Sequence, residues 1–184
     1  MFDQQKKPAL VLDLDETVIR STQMKTHNSL HKIVINRRPV FFQERPGFKK
    51  FFELISQYYD LYIFTSSKKE YTDRIIAKIA PSIPENHRYY GDSITQCDGV
   101  CIKDLSILGK PLNQVILVDN SGSSGLYQPD NVVIISSWFG EPTDNVLLNE
   151  LVPVLITAVS DQNIQAGLKY ALMKHKPMNL SALT

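Results

Sequence analysis

Short, uninterrupted apolar runs recur along this chain, separated by stretches whose apolar residues fall at helical spacing. Ala9-Leu10-Val11-Leu12, Asp60-Leu61-Tyr62-Ile63-Phe64-Thr65, Val115-Ile116-Leu117-Val118 and Val132-Val133-Ile134-Ile135 carry the signature of strands buried on both faces. Phe48, Phe51, Phe52 and Ile55 follow Arg45-Pro46-Gly47 at helical spacing, and Tyr71, Ile75, Ile76 and Ile79 do so ahead of Pro81. Both stripes read as core faces of helices. Alternation of this kind predicts an α/β fold, a parallel sheet flanked by helices. Two segments break the rhythm. Ile33-Val34-Ile35 and Val40-Phe41-Phe42, joined by Asn36-Arg37-Arg38-Pro39, predict a hairpin whose apolar residues pack on the core or line a pocket. From about 81 to 102 the helical period is lost, and Tyr89-Tyr90-Gly91-Asp92 and Asp98-Gly99 mark turns, so a small β insertion is expected there. Two helices close the chain, roughly Asn145 to Ala158 and Asp161 to about His175, the second with Ile164, Leu168 and Leu172 on one face.

No repeat or low-complexity linker interrupts this order, so one domain is expected over 1–184, with its core at about 8–158. A chain of 184 residues, 43% hydrophobic and 21% charged, can bury a sizeable core. The net charge of +1 supplies no field for a nucleic-acid partner. No apolar stretch approaches the length of a bilayer span, and Met1 to Lys7 lack a signal-peptide core, so a nuclear or cytoplasmic location is expected. A monomer is expected as well. Cys97 and Cys101 are too few for a structural zinc site and are read as reduced thiols.

The candidate chemistry begins where the first apolar run ends, at Asp13-Leu14-Asp15-Glu16-Thr17. A parallel sheet presents its ligands at the carboxyl ends of its strands, where Asp13 and Asp15 would crowd two like charges together. A divalent cation is the simplest reason for them, and a carboxylate beside it can attack phosphorus. Three further polar groups are expected at strand ends: Thr65/Ser66, Lys103 and Asp119/Asn120. Phosphoryl transfer assigns their roles. Asp13 would be the nucleophile and Asp15 the acid and base that serves leaving oxygen and water. Thr65, backbone N–H groups and Lys103 would take the charge on the phosphoryl oxygens. Mg2+ would be held by Asp13, the Asp15 carbonyl, and Asp119 or Asn120. Thr17 is assigned to loop geometry, and His27, His31, His87 and His175 receive no catalytic role.

Leu-Asp-Leu-Asp-Glu-Thr at 12–17, Arg-Pro-Gly at 45–47, Phe-Thr-Ser-Ser at 64–67, Lys-Asp-Leu-Ser-Ile-Leu-Gly at 103–109, Val-Asp-Asn-Ser at 118–121 and Ser-Trp-Phe at 137–139 form a recognisable set. Together they resemble the small C-terminal-domain phosphatases of the haloacid dehalogenase superfamily, the group related to NLI-interacting factor and Dullard. The resemblance runs from about Pro8 to Ala158. It implies a Rossmann-like, haloacid dehalogenase-like core with a β insertion, Mg2+ dependence, and hydrolysis of phosphoserine or phosphothreonine in a protein or peptide. It implies Asp13 as nucleophile, Asp15 as acid/base, Thr65 and Lys103 as phosphate binders, and Asp119 with Asn120 as the metal pair. Members acting on the RNA polymerase II tail often carry Arg-Glu where this chain has Gly91-Asp92. They commonly have a basic residue at the place of Asp98 and a proline in the loop that here reads Ser-Gly-Ser-Ser-Gly. These departures spare the catalytic set and bear on the substrate. Two other readings share the fold: a small-molecule phosphatase of the superfamily, and a catalytically silent phosphopeptide-binding module.

Overall fold

A computed structural model describes residues 7–23 and 30–175; His27 lies outside them. The strands are β1 (Ala9–Leu12), β2 (Ile19–Thr22), β3 (His31–Ile35), β4 (Arg38–Glu44), β5 (Asp60–Phe64), β6 (Arg88–Tyr89), β7 (Thr95–Cys97), β8 (Val100–Ile102), β9 (Val115–Asp119) and β10 (Val132–Ile134). The α-helices are α1 (Phe48–Ile55), α2 (Lys69–Ile79), α3 (Val152–Ala158) and α4 (Ile164–His175). Five strands form a parallel sheet in the order β10-β9-β1-β5-β6. β1 is its centre, with Leu12 opposite Ile63 on one side and Val118 on the other.

Strand alternation divides the core. Leu10, Leu12, Leu61, Ile63, Ile116 and Val118 enter the larger cluster, which residues from all four helices complete. Ala9, Val11, Tyr62, Phe64, Val115 and Leu117 enter a smaller one closed by Leu105 and Leu108. Burying a large apolar side chain contributes roughly 1.5–3 kcal/mol. The four fully buried residues of β1 therefore anchor the strand whose next residue, Asp13, is also buried.

Outside this sheet, β2, β4 and β3 form an antiparallel sheet. The β3–β4 turn is Asn36-Arg37, both with positive φ (48° and 63°), the geometry that matches the twist of a two-residue hairpin. β4 begins at Arg38, so the turn is two residues shorter than the sequence suggested. The hairpin's apolar residues divide between the two expected roles. Ile33 and Phe42 are buried in the core, while Ile35 and Val40 also line a cleft of about 590 Å³ with Gln23, Asn36, Arg38 and Pro39. β2 carries no sequence signal, because Ile-Arg-Ser-Thr holds a single large apolar residue and is defined by its pairing to β4.

Residues 81–102 hold β6, two single-turn 3-10 segments and the β7–β8 hairpin, whose turn is Asp98-Gly99. Cys97 lies opposite Val100 and Cys101 opposite Gln96, so the two free thiols fall on opposite faces of the hairpin. Near the C-terminus the expected helix begins as a π-helical segment, Val146–Leu151, and becomes α-helical only at Val152. Pro153 accounts for the change, since it has no N–H for an i→i−4 bond and its ring clashes with the carbonyl four residues back.

Candidate active site

The first turn after β1 sets the site. Asp13 N–H still donates to Val118 C=O at 2.9 Å, so the nucleophile candidate continues the β1–β9 ladder. Glu16 then takes a left-handed conformation (φ 64°) and reverses the chain, and the N–H groups of Val18 and Ile19 donate to Leu14 C=O. Thr17, fully buried, has its hydroxyl 2.8 Å from Asp13 Oδ2 and 3.1 Å from Asn120 Oδ1, so its one proton is shared between two acceptors, the nearer being Asp13. Its role in the loop is thus to join two of the candidate groups.

Lys103 Nζ lies between two carboxylates, 2.5 Å from Asp13 Oδ1 and 2.6 Å from Asp119 Oδ2. All three residues are buried. Burial pushes the Asp13 carboxyl up to about 6, a rise that Asp119 reinforces and that Lys103 and Thr17 oppose. Burial works against the charge of Lys103 too, yet Asp13 and Asp119 together hold it above the usual lysine value. The centre therefore keeps one ammonium against two carboxylates, a residual negative charge with hard oxygen atoms around it. Asn120 adds another oxygen: its Nδ2 donates to Ser137 Oγ at 2.9 Å, which turns Oδ1 toward Thr17.

The sequence placed Lys103 at the end of a parallel strand, and the structure corrects this. It follows β8 of the antiparallel hairpin and is docked by its own N–H on Ser124 C=O at 2.9 Å. An ammonium reaching in from a separate layer can bridge the ends of β1 and β9 without displacing either strand.

Asp15 belongs to a second set of bonds. Its Oδ2 accepts from Ser67 Oγ at 2.8 Å and its Oδ1 from Tyr71 OH at 2.5 Å. Burial, with the charge of Asp15 adding to it, raises the Tyr71 phenol well above its ordinary value, so Tyr71 stays a donor. Thr65 directly follows β5, buried, and its Oγ1 accepts from Ser67 N–H at 3.1 Å, which leaves its own proton for an incoming acceptor. Ser66 differs from its neighbours: it is exposed, and its side chain makes no hydrogen bond to the other candidate groups among the described residues. The loop is braced by Gly91, whose N–H donates to Ser67 C=O at 2.9 Å. A Cβ at Gly91 would fall 2.6 Å from Ser66 carbonyl oxygen, so this close approach requires glycine.

Arg45 is the largest contributor that sequence reasoning missed. It was read as part of a helix opener and of the Arg-Pro-Gly motif, with no role of its own, yet it is 1% exposed and its guanidinium donates five hydrogen bonds. Nε and Nη2 fork onto Asp144 at 2.8 Å each. Nη1 reaches Thr17 C=O at 3.1 Å and Ser136 C=O at 2.9 Å, and Nη2 also meets Ser136 Oγ. The Thr17 loop is thus tied to the segment after β10, to which Trp138 adds an N–H bond to Glu16 C=O at 2.8 Å. Tyr71, read as one more core residue of α2, was missed as well. A lone tyrosine on an apolar stripe offers one cue, that its hydroxyl needs a partner when buried. The histidines stand apart: His31 meets Glu44, His87 meets Leu61 C=O and His175 meets Thr157.

Residues 8–165 match the model of the NLI interacting factor-like phosphatase family. CTD small phosphatase-like protein 2 of Dictyostelium discoideum is 35% identical over 167 residues, covering 89% of this chain and 29% of that protein. CTD nuclear envelope phosphatase 1B of Danio rerio is 34% identical over 184 residues, covering 93% of this chain and 75% of that one. The fold is also that of the fission yeast RNA polymerase II CTD phosphatase Fcp1 bound to beryllium fluoride. That likeness has a TM-score of 0.63 at 19% identity, over 93% of this chain and 56% of the other. With an Asp-x-Asp loop at the head of a five-stranded parallel sheet and these relatives, the chain belongs to the NLI interacting factor-like phosphatases, hydrolases of the haloacid dehalogenase fold.

Proposed function

We propose that this chain is a Mg2+-dependent protein serine/threonine phosphatase that works through an aspartyl-phosphate on Asp13. The observation that carries the reading is the buried Asp13–Lys103–Asp119 centre with Thr17 as its fourth member. Among the described residues, no group of three or more His, Cys, Asp or Glu side chains gathers closely enough to hold a metal. The donor set still suits a hard cation, because two buried carboxylates share one ammonium and the Asn120 oxygen is turned inward. Asp13, Asp119, Asn120 and the Asp15 carbonyl would hold Mg2+, which supplies charge neutralisation for the attacking carboxylate and the phosphoryl oxygens.

The chain's own residues perform the rest. Lys103 and the free proton of Thr65 receive phosphoryl oxygens, with Ser66 at the rim. An Asp13 oxygen attacks phosphorus while the bond to the serine or threonine oxygen breaks, and Asp15 hands that oxygen its proton. Water then attacks the same phosphorus, Asp15 takes its proton, the bond to Asp13 breaks, and phosphate leaves. The RNA polymerase II tail or another phosphoprotein is the proposed substrate. The relatives' names support that class, and nuclear or cytoplasmic location goes with it. Among the described residues no helix is long and apolar enough to cross a membrane. A single catalytic domain acting as a monomer completes the proposal.

The test is phosphate release from p-nitrophenyl phosphate and from a phosphoserine peptide, with Mg2+ and with EDTA. Turnover that vanishes in EDTA and returns with Mg2+ is expected. At about 100 times its dissociation constant, Mg2+ adds about 2.7 kcal/mol. For a chain of this size that raises the melting temperature by roughly 5–11 °C. Full turnover in EDTA, or a melt that ignores saturating Mg2+, would remove the metal from the proposal.

Gly91 offers a separate check on the substrate rim. Gly91→Ala must push the loop at Ser66 outward, and overpacking of this kind costs about 1–3 kcal/mol. A melt lowered by several degrees and slower peptide turnover are expected. Wild-type behaviour in both assays would show that the loop yields freely and that the glycine is incidental.

A further inference from the structure

We propose that Tyr71 and Ser67 are the positioning residues of Asp15, holding its carboxyl in the one orientation from which it can protonate the leaving oxygen. The proposal rests on the phosphatase reading above. Asp13 and Asp15 are two residues apart on one turn, yet they share no hydrogen-bond partner: Asp13 is held by Lys103 and Thr17, Asp15 by Ser67 and Tyr71. Each Asp15 oxygen has its own O–H donor, and the two donors come from different elements, the loop after β5 and the first turn of α2. Opposed donors of that kind leave a carboxyl little freedom about its side-chain torsions.

Ser67 is itself pinned at both ends of its peptide. Its N–H donates to Thr65 Oγ1 at 3.1 Å and its C=O accepts from Gly91 N–H at 2.9 Å. One short strap therefore sets both the Thr65 hydroxyl, which meets the phosphoryl group, and the carboxyl that meets the leaving oxygen. Tyr71 does not touch the reacting atoms in this arrangement; it acts through Asp15. A misplacement of about 1 Å in such a group can cost on the order of 10²-fold in rate.

Leaving groups of different basicity separate this role from a structural one. p-Nitrophenolate departs with little help from an acid, whereas phenolate needs the proton. The measurement is kcat/KM for p-nitrophenyl phosphate and for phenyl phosphate, with wild type, Tyr71→Phe and Ser67→Ala, in Mg2+. kcat/KM reports the transfer to Asp13 and not the later hydrolysis. General acid catalysis contributes about 10²- to 10⁴-fold, so Tyr71→Phe should lose about tenfold or more on phenyl phosphate and about threefold or less on p-nitrophenyl phosphate. Ser67→Ala should lose in the same sense, and it decides the question if Tyr71→Phe does not fold. Equal losses on both substrates, or no loss on either, overturn the proposal while leaving the phosphatase intact. A folded wild type inactive on both substrates refutes the phosphatase reading, and the proposal with it.

Discussion

Asp13→Asn should lose at least ~10³-fold in turnover while remaining folded. An amide is a poor nucleophile toward phosphorus, so no aspartyl-phosphate can form at this position. The structure makes a stronger prediction about stability. Asp13 is a carboxylate whose burial raises it to about 6, with the charge of Asp119 pushing the same way. Asparagine removes that cost and leaves Lys103 its bond to Asp119 at 2.6 Å, while its single oxygen serves either the Thr17 hydroxyl or the Lys103 ammonium. Without Mg2+ the variant should melt at or above the wild-type temperature, and saturating Mg2+ should raise it less than it raises the wild type. Thermal melts with and without Mg2+, phosphate release, and intact mass after incubation with substrate read all three. Turnover within tenfold of wild type would exclude Asp13 as the nucleophile. A melt far below wild type would contradict the view that this carboxylate is held against its preference.

Arg45→Ala should be the most destabilising single change near the site. Its guanidinium is buried and every N–H has an acceptor, so truncation leaves Asp144, two carbonyl oxygens and a hydroxyl without their partner. Breaking a buried pair from one side costs about 3–5 kcal/mol. In a chain of this size that lowers the melting temperature by roughly 6–20 °C. Activity should fall beyond what unfolding explains, because Arg45 holds the Thr17 carbonyl and Thr17 holds Asp13 and Asn120. Arg45→Lys keeps the charge but cannot fork onto Asp144 and reach Thr17 at once, so an intermediate melt with reduced turnover is expected. If Arg45→Lys matched wild type in both, the planar fork would be irrelevant and the loop would be held by its other bonds.

Four of the five strands of the parallel sheet were legible because they are largely buried, and such strands are written as continuous apolar runs; β6, Arg88–Tyr89, is half-buried and has no such run. β1, β5, β9 and β10 each announce themselves, and the polar residues following them fall where a parallel sheet collects its chemistry. Asp13, Asp15, Thr65, Asp119 and Asn120 could therefore be singled out by position and type. β2 could not, because its four residues are defined by their pairing to β4 and not by an apolar pattern. The π-helical opening of the last helical stretch was also hidden, since helical periodicity does not distinguish i→i+4 from i→i+5 bonding over six residues.

The unread part of the site lies in contacts between residues far apart in the chain. Lys103 and Asp13 are 90 positions apart, and Arg45 and Asp144 are 99 apart. No local pattern tells which buried arginine will cradle a loop, or that Tyr71 will turn its hydroxyl to Asp15 instead of only packing its ring. Those outcomes depend on how the elements dock. The sequence by itself determined the strand ends and the carboxylates on them, because burial pattern and residue type are local. Only the tertiary structure decided which donor meets which carboxylate, because each buried charge takes the partner that packing delivers to it.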